Sequence, residues 1–140
     1  MQPVEIKDIK NDDFEIWLPL WKSYQRFYEV DIPDSVTHKT WIRFLDPLEP
    51  IHAALAMVDG QAVGLVHFIY HRSTWATSDD CYLQDLFVAA DGRGNGVGRA
   101  LIEHVYANAK SRGVSRVYWL THEYNHNARQ LYDRIANRSG

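Results

Sequence analysis

Residues 83–99, Leu-Gln-Asp-Leu-Phe-Val-Ala-Ala-Asp-Gly-Arg-Gly-Asn-Gly-Val-Gly-Arg, constrain the fold of this chain more than any other stretch. An apolar run with strand character gives way to a basic, glycine-rich loop. An amphipathic pattern follows at once, with Leu101, Ile102, Val105, Tyr106 and Ala109 on one stripe. Residues 114–120 then read as a further strand. Strand, loop, helix and strand in that order form a βαβ crossover, which makes the strands at 81–88 and 114–120 parallel. The loop exposes successive backbone N–H groups, and the helix start adds partial positive charge. Together they suit a pyrophosphate.

The spacing separates the phosphate binders. Gly-x-x-x-x-Gly-Lys-Ser/Thr is absent, which excludes a nucleoside triphosphatase loop. Gly94, Gly96 and Gly98 do not fall as the Gly-x-Gly-x-x-Gly of dinucleotide enzymes either. What stands is Arg93-Gly94-Asn95-Gly96-Val97-Gly98, an Arg-x-x-Gly-x-Gly pattern.

The rest of the chain is consistent with a single domain over residues 1–140. Residues 3–9 alternate weakly and predict an edge strand. Asn11, Asp12 and Asp13 predict a helix start, after which Phe14, Trp17, Leu18, Trp21, Tyr24, Phe27 and Tyr28 recur at helical spacing. Pro19 lies inside that pattern and is expected to kink or split it. A second helix is predicted over residues 36–45. Strands at 52–58 and 62–70 flank Asp59-Gly60, a strong hairpin signal. A last helix is predicted over 125–135.

A formal net charge of −3 argues against a general binder of nucleic acid or anionic membrane. The single Cys81 excludes an internal disulfide and a cysteine-rich zinc module. No apolar run reaches membrane-spanning length, and a cytoplasmic location is expected.

Three segments together carry a family resemblance. Leu86-Phe87-Val88, the loop and helix from Arg93, and Asn125-His126-Asn127-Ala128-Arg129-Gln130-Leu131-Tyr132 resemble, in order, motifs of the GCN5-related N-acetyltransferase superfamily. Tyr82-Leu83-Gln84-Asp85-Leu86-Phe87-Val88 is most similar to its polyamine-, lysine- and histone-acetylating branch. The resemblance implies an α/β (α+β) fold with a mixed central sheet flanked by helices. It also implies acetyl transfer from acetyl-CoA to a primary amine by direct attack in a ternary complex, with no metal. The acceptor would be a polyamine, a lysine or a small amine, and the assembly a homodimer.

On that resemblance, Leu86, Phe87, Val88, Arg93, Gly94, Asn95, Gly96, Val97, Gly98, Arg99 and Asn125 are the expected cofactor-binding residues. The oxyanion donor would be a backbone N–H of a bulged strand, near Phe87 or Val88; one such donor is worth ~10²–10³ in rate. Tyr132 is the expected acid. A phenol of pKa ~10 protonating a thiolate of pKa ~8.5 works uphill by only about 2 kcal/mol. Deprotonating an ammonium of pKa ~10.4 near neutral pH costs about 4–5 kcal/mol, so a base is needed. Related polyamine enzymes carry Glu where this chain has Gln84. Asp85, Glu123 and His122 are the candidates, and Asp85 could instead point into the sheet.

Plainer readings stand beside these. Asn125 is also an ordinary helix N-cap, and Tyr132 could be a core aromatic. The aromatic stripe from Trp17 to Tyr28 reads first as core, with one or two rings left to line an acceptor pocket. Glu29, Asp31, Asp34, Asp79 and Asp80 read as solvated loop acids rather than a polycation site. His122-Glu123-Tyr124-Asn125-His126 spells the zinc-protease pattern, but it follows a β-rich run and straddles a helix start, so it is set aside. A catalytically silent CoA-binding module is the rival function, favoured by Gln84. The chain ends where such folds continue into further strands, so a C-terminal truncation is expected.

Overall fold

Two changes of hydrophobic period, helical to alternating and back, divide the chain into its layers. The computed structural model describes residues 3–120. Strand β1 (Glu5–Asp8) leads through a 3-10 turn at Asn11–Asp13 into α1 (Phe14–Phe27), and α2 (Asp34–Leu45) follows. The buried Asp13 carboxylate fixes the entry to α1: it accepts the Lys10 backbone N–H at 2.8 Å and the Lys7 ammonium at 2.9 Å. Of the kink or split expected at Pro19, the split does not occur, and helix α1 runs through the residue. The proline falls in the second turn, where it deprives only the Glu15 carbonyl of a partner, and both residues are exposed so that water can replace the bond.

Strands β2 (Ile51–Val58), β3 (Gln61–His71), β4 (Asp80–Val88) and β5 (Arg116–Tyr118) complete a five-stranded sheet of order β1-β2-β3-β4-β5. Asp59 and Gly60 both have positive φ, 53° and 77°, the left-handed pair that a tight β2–β3 hairpin requires. The first four strands are antiparallel. Helix α3 (Val97–Ser111) then crosses over, so β5 pairs with β4 in parallel, as the crossover predicted.

The sheet has a core on each face. On one, Trp17, Leu20, Trp21 and Trp41 of α1 and α2 pack on Leu55 and Leu65. On the other, Leu101, Ile102, Val105 and Ala109 of α3 cover Val66, Phe68 and Leu83. The two patterned stripes thus bury opposite sides of one sheet, giving a helix–sheet–helix sandwich.

One irregularity positions the chemistry. Phe68 pairs with Leu83 but His67 pairs with Asp85, so Gln84 is an extra residue bulged out of β4. Cys81 and Leu83 face α3, and plain alternation would send Asp85 after them. The bulge turns Asp85 toward α1 instead and returns Leu86 and Val88 to the α3 core. The bulge lies upstream of Phe87 and Val88, the residues near which the oxyanion donor is expected.

Asp80 departs from its reading as a solvated acid. It opens β4, is buried, and pairs with Arg116 at 3.4 Å, because the parallel register sets Asp80 opposite Arg116. Asp79 meets Arg72 at 3.3 Å, while Glu29, Asp31 and Asp34 are exposed.

Candidate active site

The glycine loop is held against the sheet from below. Gly64 of β3 lets the start of α3 sit close, since a β-carbon there would lie 3.0 Å from both the Phe87 carbonyl oxygen and Val97 Cγ1. Gly96, at φ 73°, is the left-handed residue from which α3 springs. Ala100 N–H donates to the Gly96 carbonyl and closes the first turn, so the N–H groups of Val97, Gly98 and Arg99 lie ahead of it at the helix mouth. That turn carries no acidic residue, and the space beside the α-carbons of Gly94 and Gly96 is open. This arrangement suits an anion. Val97 contributes only backbone, because its side chain is buried in the core. Arg93 is exposed, whereas Arg99 is engaged by Glu103 at 3.2 Å.

Beside the loop runs the outer edge of β4. β5 pairs with β4 only from Asp80 to Tyr82, and beyond Tyr82 the outer edge of β4 has no strand partner among the described residues. The edge at 83–88 can therefore pair with an extended, amide-bearing ligand whose phosphates end on the loop. Leu86 and Val88 would serve it through their backbone, since their side chains pack on the α3 side. Phe87 packs with the α1 and α2 cluster, its ring 6.3 Å from those of Tyr24 and Phe27.

Asp85 is the chemical centre of the described residues. Its Oδ1 accepts the Tyr24 hydroxyl at 2.6 Å, and its Oδ2 lies 2.9 Å from His67 Nδ1. The other ring nitrogen of His67 accepts the Trp17 indole N–H at 3.0 Å. Four side chains from α1, β3 and β4 thus form one hydrogen-bonded series, closed off by Trp21, Phe44 and Trp41. The sequence reading found Asp85 but missed His67, whose signal was a lone polar residue in the apolar run 63–70. Trp17 is core as expected, and of the stripe's rings Tyr24 hydrogen-bonds Asp85 while Phe27 packs on Phe87.

Further along β4, burial together with Asp85 and Tyr118 pushes the Tyr82 phenol above its ordinary range. Burial likewise pushes the Cys81 thiol up to about 11, so it is no nucleophile near neutral pH. Glu123, His122, Asn125, His126 and Tyr132 lie outside the described residues, as does the last predicted helix. No helix among the described residues is long and apolar enough to cross a membrane.

With this geometry in hand, the likenesses to known proteins are specific. The model of the Acetyltransferase (GNAT) family matches residues 7–136. The chain is 39% identical over 138 residues to the D-amino-acid N-acetyltransferase HPA3 of Saccharomyces cerevisiae, covering 97% of this chain and 86% of that protein. It is 28% identical over 85 residues to the thialysine N-epsilon-acetyltransferase of Caenorhabditis elegans, covering 61% of this chain and 52% of the relative. Among solved structures, the ribosomal-protein-alanine N-acetyltransferase from Brucella melitensis biovar Abortus 2308 superposes with a TM-score of 0.79 at 26% identity, over 95% of this chain and 90% of that one. The aminoglycoside enzyme AAC(6')-Iy, in complex with the bisubstrate analog CoA-S-monomethyl-acetylneamine, shares the fold with a TM-score of 0.82 at 20% identity, over 95% and 89% of the two chains. The family match over most of the chain, together with the N-acetyltransferase relative, settles the assignment: this chain belongs to the GNAT family and is an acetyl-CoA-dependent N-acetyltransferase.

Proposed function

We propose that the protein acetylates the primary amine of a small acceptor, with free amino acids and diamines the first candidates, by direct attack on acetyl-CoA in a ternary complex. The observation that carries this reading is the continuity of the β4 edge, unpaired beyond Tyr82 among the described residues, with the glycine loop, beside a carboxylate on the α1 face. The backbone at Leu86, Phe87 and Val88 would flank the pantetheine and thioester. Arg93, Gly94, Asn95, Gly96, Val97, Gly98 and Arg99 would hold the pyrophosphate, and Asn125 would complete the cofactor contacts. The relatives' names favour the acceptor class: they describe enzymes for D-amino acids, thialysine and ornithine.

The proton balance assigns the remaining roles. Asp85 takes a proton from the acceptor ammonium, either directly or through the Tyr24 hydroxyl, which receives that proton as it passes its own to Asp85. The freed amine attacks the thioester carbon, the C–S bond breaks, and Tyr132 protonates the departing thiolate. The second amine proton, shed as the amide forms, restores the Tyr132 phenol through solvent, and Asp85 gives its proton up to water. Glu123 is the alternative acceptor of the proton. Asp85 is favoured because the bulge turns it out of the α3 core and Tyr24 holds it at 2.6 Å.

A calorimetric titration with acetyl-CoA, followed by thiol release over a panel of D- and L-amino acids, ornithine, lysine and diamines, tests this reading. One-to-one binding and amine-dependent CoA release, with one acetyl group added to the amine, are expected. Binding without release for any amine would favour the silent module. A folded sample that does not bind acetyl-CoA would overturn the loop assignment.

A further inference from the structure

His67 is the residue in the Asp85 series with no obvious reason to be polar. It sits at 2% exposure in an apolar strand, walled by Trp21 at 4.7 Å and Phe44 at 4.9 Å between ring centroids. Burying an imidazole there costs free energy unless both nitrogens find partners, and both do. The partners also dictate where its proton lies. An indole N–H can only donate, so His67 Nε2, which receives the Trp17 N–H, must present a bare lone pair. The ring proton is therefore on Nδ1, pointing at Asp85 Oδ2. A proton on Nε2 would set donor against donor in a dry site. The His67–Asp85 contact is thus a directed hydrogen bond rather than an ion pair, and His67 cannot itself take a proton from substrate at either nitrogen.

From this geometry we infer that Trp17 and His67 are positioning residues for the acetyl transfer. The indole fixes the Nδ1–H tautomer of His67, and that N–H ties down one carboxylate oxygen of Asp85 so that the other faces Tyr24. The inference rests on the reading of Asp85 as proton acceptor. It adds that the carboxylate is aimed from the neighbouring strand, on the same face of the sheet, by a buried side chain that never meets substrate. The same series joins α1 to β3 and β4, so it couples the helix that carries Tyr24 to the strand beside the cofactor edge.

The first test uses the unmodified protein. Nitrogen-15 NMR of the His67 ring should show a bare Nε2 and a protonated Nδ1 near neutral pH; an Nε2–H tautomer or an imidazolium overturns the inference. The second uses variants of the full chain, checked for native near-ultraviolet dichroism. Trp17→Phe keeps the ring and removes the donor. It should release the tautomer and lower kcat about 10- to 100-fold, the scale of a small misplacement of a reacting group, while KM for acetyl-CoA stays put. His67→Leu should lose as much. His67→Asn, which can offer an N–H at the Nδ1 position, should recover part of the loss. Folded Trp17→Phe and His67→Leu proteins with wild-type kcat contradict the inference. If Asp85→Asn proves harmless while the wild-type tautomer is as described, the base assignment fails and the hydrogen-bonded geometry stands, so the two failures are distinguishable.

Discussion

His67 faces Asp85 across β3 and β4 at 2.9 Å only because Gln84 is bulged out of the strand between them and Leu83. With Gln84 taken into the ladder instead, plain alternation would send Asp85 into the apolar core beneath α3. The facing matters to stability, because the buried His67 ring has Asp85 as a hydrogen-bond partner. Asp85→Ala should therefore lower the free energy of unfolding in urea by about 1–3 kcal/mol. An unchanged midpoint would mean that this contact does not help to hold β3 and β4 together.

Gly64 bears on both stability and cofactor affinity. An alanine β-carbon would press on the Phe87 carbonyl and Val97 at 3.0 Å and on Leu101 at 3.2 Å, two of which belong to α3. Gly64→Ala should destabilise by about 1–3 kcal/mol and weaken acetyl-CoA binding by moving the helix mouth. Urea denaturation and calorimetry on one preparation check both. Wild-type values for both would mean that the loop is not seated through this contact.

His52 should make stability depend on pH. Its ring stacks on Phe68 at 5.4 Å, and its buried Nε2 has no hydrogen-bond partner among the described residues. Burial depresses its pKa below 6.5, helped by Arg112 and opposed by Asp8. The unfolded chain therefore binds the proton more readily. The contribution is fully present above the unfolded value of ~6.5 and is lost as pH falls through the folded one. The drop in unfolding midpoint from neutral pH to about pH 5 should be smaller in His52→Leu than in wild type. Equal drops would remove His52 as a source of acid sensitivity.

The features legible in the sequence are those carried by period and punctuation. The α3 stripe, the Asp59-Gly60 turn and the parallel β4–β5 pair all follow from residue spacing, and they put the loop at a helix mouth. The Asp85 series was not legible, for two physical reasons. A one-residue bulge inside Leu83-Gln84-Asp85-Leu86 leaves the composition of a strand unchanged while reversing which face each side chain takes. His67 and Trp17 are 50 positions apart and meet only because α1 lies across β3. Pro19 does not split α1, because in an exposed second turn a proline costs one replaceable hydrogen bond.

Asp85 is the residue on which the account turns, so steady-state kinetics of Asp85→Asn, with Tyr24→Phe alongside, test it most directly. Asparagine keeps the shape and removes the proton acceptor. The account predicts a fall in kcat of about 10²–10⁴-fold with KM for acetyl-CoA near its wild-type value, and a smaller fall for Tyr24→Phe. A folded Asp85→Asn protein that turns over an amine acceptor at the wild-type kcat would contradict it.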